Sequence, residues 1–312
     1  MLLKKGLLLT VLLAMAPATF AATTYPLTIE NCGVRQTFTQ APQRVVTVGQ
    51  HETELLLALG LEKSVAATSV WFGKLPDSLA DAGKKLPRLA DNSPSFEAVV
   101  GQKPELVLAQ YHWHIGPQGE VGTREQFASL GIKTWISPAD CTDKTVTATS
   151  NADGARSTPF SLAEIKHEVT DLAAIFDVPA RGELLNRELT ERIQKAQARI
   201  SAKPLKVVFW FSSSRLNGDP WVAGNYGAPG WISRTLGLKN VIVIAQMSRR
   251  LYPADDAAVK EAFLRRDPVT RNIPAVRNNQ IIVVPAMSLN PSLRNVDAVE
   301  LISDRLASFQ GE

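Results

Sequence analysis

Apolar residues recur along this chain with two distinct periods. Between Asp177 and Ala202 they fall at Leu185, Leu189, Ile193, Ala196 and Ile200, spaced by four, four, three and four. That spacing is one stripe of a helix whose other faces carry charge. Asp177 and Pro179 give it a start signal and Lys203-Pro204 a stop. Elsewhere the apolar residues come in short continuous runs, which read as strands buried on both faces. VVTV (45–48) and LVLA (106–109) precede the helix, and VVFWF (207–211), VIVIA (241–245) and IIVV (281–284) follow it. The pattern predicts an α/β protein in which one long helix joins two α/β halves: an N-terminal lobe over 23–176, the linking helix over 177–203 and a C-terminal lobe over 204–312.

Shorter helices fit between the runs. ELLLALGLE follows the first strand and stops at Gly60, SFEAVV begins an amphipathic helix, and QFASLGIK ends at Gly131 before the strand Thr134-Trp135-Ile136. Ser161 opens a helix running to Phe176, with Glu164 three residues on in a capping-box arrangement. The stretch 140–158 is polar and reads as a loop, and a further helix spans Trp231 to Gly237.

Composition narrows the class. With 312 residues, 45% of them hydrophobic and 21% charged, the chain has room for two cores and the balance of a soluble protein. Its net charge of +4 is spread out, with no basic block of the kind that binds nucleic acid. Residues 1–22 have the layout of a secretory signal peptide: Lys4 and Lys5, an apolar run from Gly6 to Met15, then small residues around Ala21 and Ala22. That run is too short for a good membrane span. No cysteine follows the expected cleavage point, so a protein free in an exported, oxidising compartment is expected. In an oxidising compartment the two cysteines, Cys32 and Cys141, read as one disulfide, with two separate buried thiols as the alternative.

In parallel α/β sheets ligands bind beyond the carboxyl ends of the strands. In the first half those ends carry Gln50-His51-Glu52-Thr53 and Tyr111-His112-Trp113-His114. Three of the four histidines, His51, His112 and His114, therefore gather at one predicted edge, while His167 reads as a surface or packing residue. They could ligate a metal, and a Tyr or His could hold haem or ferric iron. Their spacing is loose, however, and aromatic walls for a bulky organic ligand are the preferred reading. In the second half Arg215, Trp221, Tyr226, Arg249, Arg250, Tyr252 and Arg294 all follow predicted strands. Guanidinium groups there would pair with anionic oxygens and stack on rings. The Gly-containing stretch 217–230 lacks the Lys-Ser/Thr ending of a phosphate loop, and no G-x-S-x-G elbow supports an exported hydrolase.

PQRVVTVGQHETELLLALGLEKSV, SFEAVVGQKPELVLA, GIKTWISP, PAVRNNQIIVVP and RNVDAVELI resemble the periplasmic substrate-binding proteins of ABC importers for iron-siderophores, haem and vitamin B12. The resemblance covers most of the chain after the signal peptide. It implies two Rossmann-like lobes joined by one long helix, a ligand cleft between them and little hinge closure. It further implies a ferric-siderophore-like ligand or else haem or cobalamin, no intrinsic cofactor, a monomer without enzymatic activity, and transient docking on an inner-membrane permease through a glutamate on each lobe. By position in its motif the first of these is Glu97. The chain departs from the pattern in its second half. Gly237 is followed almost at once by the run at Val241, so a strand-helix segment near Asn240, with the second docking glutamate, is absent. The lobe is then either repaired by a shorter local path or poorly packed, which leaves transport competence open.

Overall fold

A two-residue turn at Cys32-Gly33 separates alternating strands at the start of the folded chain. In the computed structural model, which describes residues 22–145, 147, 149, 156–200, 206–238 and 240–310, they form the antiparallel hairpin β1 (Leu27–Asn31) and β2 (Val34–Phe38). The first lobe then runs β3 (Val45–Val48), α1 (Gln50–Ala58), β4 (Val65–Ser69), α2 (Asp77–Gly83), β5 (Arg88–Ala90), α3 (Phe96–Val100), β6 (Leu106–Ala109), α4 (His112–Ile115), α5 (Arg124–Ser129), β7 (Lys133–Ile136) and α6 (Leu162–Ile175). Its sheet has the order β5-β4-β3-β6-β7, with every pairing parallel. One face packs Val45, Leu106, Leu108 and Trp135 against α1 and α6, and the other packs Val46, Val48, Val107 and Ala109 against Phe127 and Val99. Ser95 caps α3, and the capping box of Ser161 and Glu164 starts α6 as the sequence indicates.

The linking helix is α7 (Pro179–Ala198). The expected signal peptide through Ala21, and the stop at Lys203-Pro204, lie outside the described residues. The second lobe continues as β8 (Lys206–Ser212), β9 (Trp221–Val222), α8 (Ala228–Leu236), β10 (Asn240–Gln246), α9 (Ala257–Arg266), α10 (Pro274–Arg277), β11 (Ile281–Pro285) and α11 (Arg294–Gln310). Its sheet order is β11-β10-β8-β9, with β9 the antiparallel member. Only residues 237–239 separate α8 from β10, so the first lobe's α3 has no counterpart there. The lobe is repaired locally. α8 and α11 bury Phe209, Val243, Ile282 and Val284 on one face, while α9 and α10 bury Trp210, Ile242, Ile244 and Ile281 on the other. Val208 and Val222 remain half exposed at the β8/β9 edge.

Cys32 and Cys141 form the expected disulfide, with Sγ atoms 2.03 Å apart. It fastens the hairpin turn to the segment after β7, and the buried Arg124 of α5 adds a bond from Nη1 to Asn31 O at 2.8 Å. The bond closes a loop of 109 positions, and long closed loops restrict the unfolded chain most. Replacing both cysteines by serine is expected to lower unfolding free energy by about 2 to 4 kcal/mol. Urea denaturation checks this, and a loss under about 1 kcal/mol would show that Arg124 and the hairpin pairing suffice.

Candidate functional site: an aromatic cleft between the lobes

The first-lobe strand order reverses between β3 and β6, so the loops leaving their carboxyl ends diverge and open a crevice. Gly49 ends β3 at φ 143°, and a Cβ there would lie 2.3 Å from Gln110 Cβ, so the two loops touch at their base. Beyond them, Phe72, Tyr111, Trp113 and His114 face Phe211, Trp221 and Arg249 of the second lobe across a cavity of about 1130 Å³. A neighbouring cavity of about 360 Å³ shares Phe72, Tyr111 and Trp221 and adds Met247, Leu251, Tyr252 and Met287. Trp221 and Tyr252 meet edge to face, with ring centroids 5.3 Å apart.

Charge is sparse in this space. The Arg249 guanidinium lies 4.9 Å from the Phe72 ring centroid and donates to Asp91 O at 2.9 Å, reaching across to the first lobe. Asp140 is balanced within its own lobe, accepting from Lys144 Nζ and from His112 N, each at 2.7 Å. His114 is buried beside Tyr111, with ring centroids 5.7 Å apart. Burial lowers its pKa to about 4, so the wall presents a neutral imidazole.

Beside the cavity a charged strut joins the lobes. Arg294, the first residue of α11, donates from Nε to Glu54 Oε2 at 2.9 Å and from Nη2 to Glu54 Oε1 and Lys74 O, each at 2.5 Å. The Glu54 side chain is 2% exposed and that of Arg294 12%. Gln50 Nε2 also donates to Glu54 Oε1, while Gln50 Oε1 accepts from Phe72 N and Gly73 N at 2.9 and 3.0 Å. The same buried carboxylate thus orders the loop that supplies Phe72 to the cleft.

Of the residues singled out from sequence, Tyr111, Trp113, His114, Trp221 and Arg249 line the cleft, and Tyr252 lines the neighbouring cavity. The others lie elsewhere. His51 Nε2 sits 3.2 Å from Glu168 Oε2 in the first-lobe interior, with only a pocket of about 20 Å³ between it and Phe72, Tyr111 and Asn290. His112 faces a separate cavity of about 450 Å³ beside the disulfide, with Lys144, His167 and Asp171. Arg215 and Tyr226 are exposed and line neither cleft cavity. Arg250 pairs with Asp256 at 2.9 Å and Arg294 is taken up by Glu54, so the expected wall of four arginines reduces to Arg249. The three histidines considered as a metal set are not brought together; among the described residues, His51 groups instead with Glu52 and Glu168. Glu97 is exposed at the start of α3. Phe72, Asn92, Ser93, Phe211 and Asn290 also line the cleft. Phe72 could have been found, since it follows the small-residue run VAATS just as Tyr111 follows LVLA.

Two outcomes follow from this geometry. Removing one partner of a buried ion pair strands the other charge, so Arg294→Met is expected to cost about 3 to 5 kcal/mol in urea denaturation. Glu54→Gln/Arg294→Met, which removes both charges, is expected to recover most of that loss. For His114 the unfolded chain takes up a proton near pH 6.5 and the folded chain only near pH 4. Stability therefore falls as the pH drops through that window, by at most about 1.4 kcal/mol per unit. His114→Gln should flatten this dependence in melts recorded between pH 7 and 4.5.

The family model described as a periplasmic binding protein matches residues 45–249. A 93-residue stretch, 29% of this chain, is 33% identical to a vitamin B12-binding protein of Pectobacterium carotovorum subsp. carotovorum (strain PC1) and spans 30% of that protein. Over 290 residues, 86% of this chain and 91% of the relative, it is 24% identical to a vitamin B12-binding protein of Vibrio vulnificus (strain CMCP6). Among solved structures, a periplasmic binding protein from Veillonella parvula DSM 2008 superposes with a TM-score of 0.72 at 19% identity, covering 90% of this chain and 97% of the other. An ABC-type Fe3+-hydroxamate transport system structure from Saccharomonospora viridis DSM 43017 gives 0.67 at 20% identity, covering 90% and 99%. With the first-lobe parallel sheet, the linking helix and the second lobe's β8 to β10 inside the matched span, the chain belongs to the periplasmic binding protein family.

Proposed function

We propose that this chain is the solute-binding component of an ABC importer. It holds a bulky iron chelate of the ferric-siderophore type between its lobes and passes it to a membrane permease without chemistry of its own. The observation that carries this reading is the aromatic cleft of about 1130 Å³ with Arg249 at its rim of charge. Its size exceeds the usual range for drug-sized ligands, and rings on both walls suit a large, partly flat guest. One guanidinium stacked on Phe72, with no salt-bridge partner among the described residues, can meet an anionic oxygen of such a chelate. The solved Fe3+-hydroxamate transport structure, similar in fold, is consistent with this class of cargo.

Cobalamin is the second reading, supported by the whole-length relationship to a vitamin B12-binding protein. Haem is a variant of it, since a neutral His114 and the phenol of Tyr111 both line the cavity. In each case the protein would act in the periplasm and dock through the exposed Glu97. The second lobe, which has no helix between α8 and β10, would offer no equivalent docking glutamate there.

Titration of intrinsic fluorescence with a ferric hydroxamate, a ferric catecholate, haemin and cyanocobalamin tests the reading. One chelate should quench emission with submicromolar affinity, and Trp221→Phe should lose a large part of the change. Arg249→Ala should weaken binding about tenfold, equivalent to about 1.4 kcal/mol. The proposal fails if none of the four alters emission, or if Arg249→Ala binds an anionic chelate as wild type does.

A further inference from the structure

Within the first lobe, behind the cleft residues Phe72 and Tyr111, two carboxyl groups and an imidazole are buried together. His51 and Glu52 come from α1 and Glu168 from α6, with relative exposures of 2%, 0% and 0%. One potential ligand atom from each lies within 4.8 Å of the other two. Glu168 is fully engaged: Oε1 accepts from Trp135 Nε1 and Oε2 from Ser137 Oγ, both at 2.9 Å. Glu52 differs: as a carboxylate it accepts no hydrogen bond among the described residues, although the side chain is wholly buried next to Glu168. No lysine or arginine among the described residues forms an ion pair with either carboxylate. Two carboxylates in a dry interior with no fixed cation carry a large desolvation cost, which a proton or a bound cation must offset.

We propose that His51, Glu52 and Glu168 form a buried site for a divalent transition-metal cation, beneath the floor of the cleft between the lobes. One imidazole nitrogen with two carboxylate oxygens is a donor set suited to Zn2+ and to Fe2+, Mn2+ or Co2+. Trp135 N–H and Ser137 O–H already hold Glu168, the outer arrangement that orients a ligating carboxylate. The unpartnered Glu52 side chain supplies the remaining oxygen. Because the site has no solvent exposure, the ion enters as the chain folds, and its binding adds to folding stability. The site links α1 to α6 and β7, so its role is to fasten the first lobe, whatever the cleft carries.

The test uses the whole protein with its disulfide intact, unfolded in guanidinium chloride, stripped with chelator and refolded with Co2+ or Zn2+. The expected result is one ion per chain by elemental analysis after desalting, a visible Co2+ absorption band and a higher Tm than the metal-free protein. Glu52→Gln, which keeps the side chain's shape, should lose the band and weaken binding at least tenfold. Trp221→Ala in the cleft should retain both. The proposal is overturned if refolded wild type holds no ion and its Tm is unmoved, or if Glu52→Gln binds as well as wild type. Either result would mean that Glu52 and Glu168 share a proton instead. Should Glu52→Gln fail to fold, the wild-type stoichiometry and Tm shift decide alone.

Discussion

The relative placement of the two lobes depends on one apolar stripe that changes partners along its length. Leu185 of α7 packs with the first-lobe core and with a cluster between the lobes. Leu189 and Ile193 lie in that cluster with Phe160, Ile165 and Val296, and Ala196 joins the second-lobe core with Ile200 against it. Twenty residues of helix span about 30 Å, enough to reach from one core to the other. Bending the helix would uncover members of this stripe, at about 1.5 to 3 kcal/mol for each side chain returned to water. Gly182 lets α6 approach closely, since a Cβ there would lie 2.5 Å from that of Ala173. On the outer side Arg192 binds Asp297 and Glu300 of α11, fixing the helix to the second lobe. The cleft is therefore a gap between two bodies held at a set spacing.

Within that frame each lobe shapes its ligand-facing loop around a buried carboxylate. In the first lobe Glu54 accepts Arg294 and Gln50, and Gln50 holds the backbone at Phe72. In the second, Asp255 accepts from Ser212 Oγ and from the backbone of Leu251 and Tyr252 at 2.6 and 2.7 Å, setting the loop that carries Tyr252. Buried charges seldom add net stability over apolar packing. Their contribution here is positional: loops are ordered before a ligand arrives, which lowers the entropic cost of binding. Under the proposed function, selectivity would fall to the ring surfaces and Arg249, with shape counting for more than charge.

The framework was legible because its signals are local. Continuous apolar runs of four or five residues can satisfy both faces of a covered sheet, and the stripe on α7 has an unmistakable helical period. β4 escaped notice because Val65-Ala66-Ala67-Thr68-Ser69 is built of small residues and carries little apolar signal, although its end delivers Phe72. Site residues were half legible. Position beyond a strand pointed to Tyr111, Trp113 and Trp221, which line the cleft, but where a long side chain turns depends on distant partners. Arg294 finds Glu54 240 positions away, and His51 finds Glu168 117 positions away. No local pattern encodes such pairs, and a histidine or arginine with a buried carboxylate in reach leaves the cleft.

The shortened second lobe explains one feature of the cleft itself. Gly237 adopts φ 60°, the left-handed conformation that ends α8, and lets the chain turn directly into β10. β8 then has β10 on one side and only β9 on the other, where the first-lobe sheet continues through two parallel strands, β6 and β7. β9 pairs with β8 at Trp210↔Val222 and Ser212↔Trp221, covering the carboxyl end of β8 and leaving Val208 half exposed lower down. A parallel strand in that place would arrive through a crossover helix and could not bring its loop back over the same end. The antiparallel return does so, and it places Trp221 on the cleft wall beside Phe211. The direct turn from α8 into β10 and the antiparallel return of β9 together leave Trp221 and Phe211 as the second-lobe lip of the cleft.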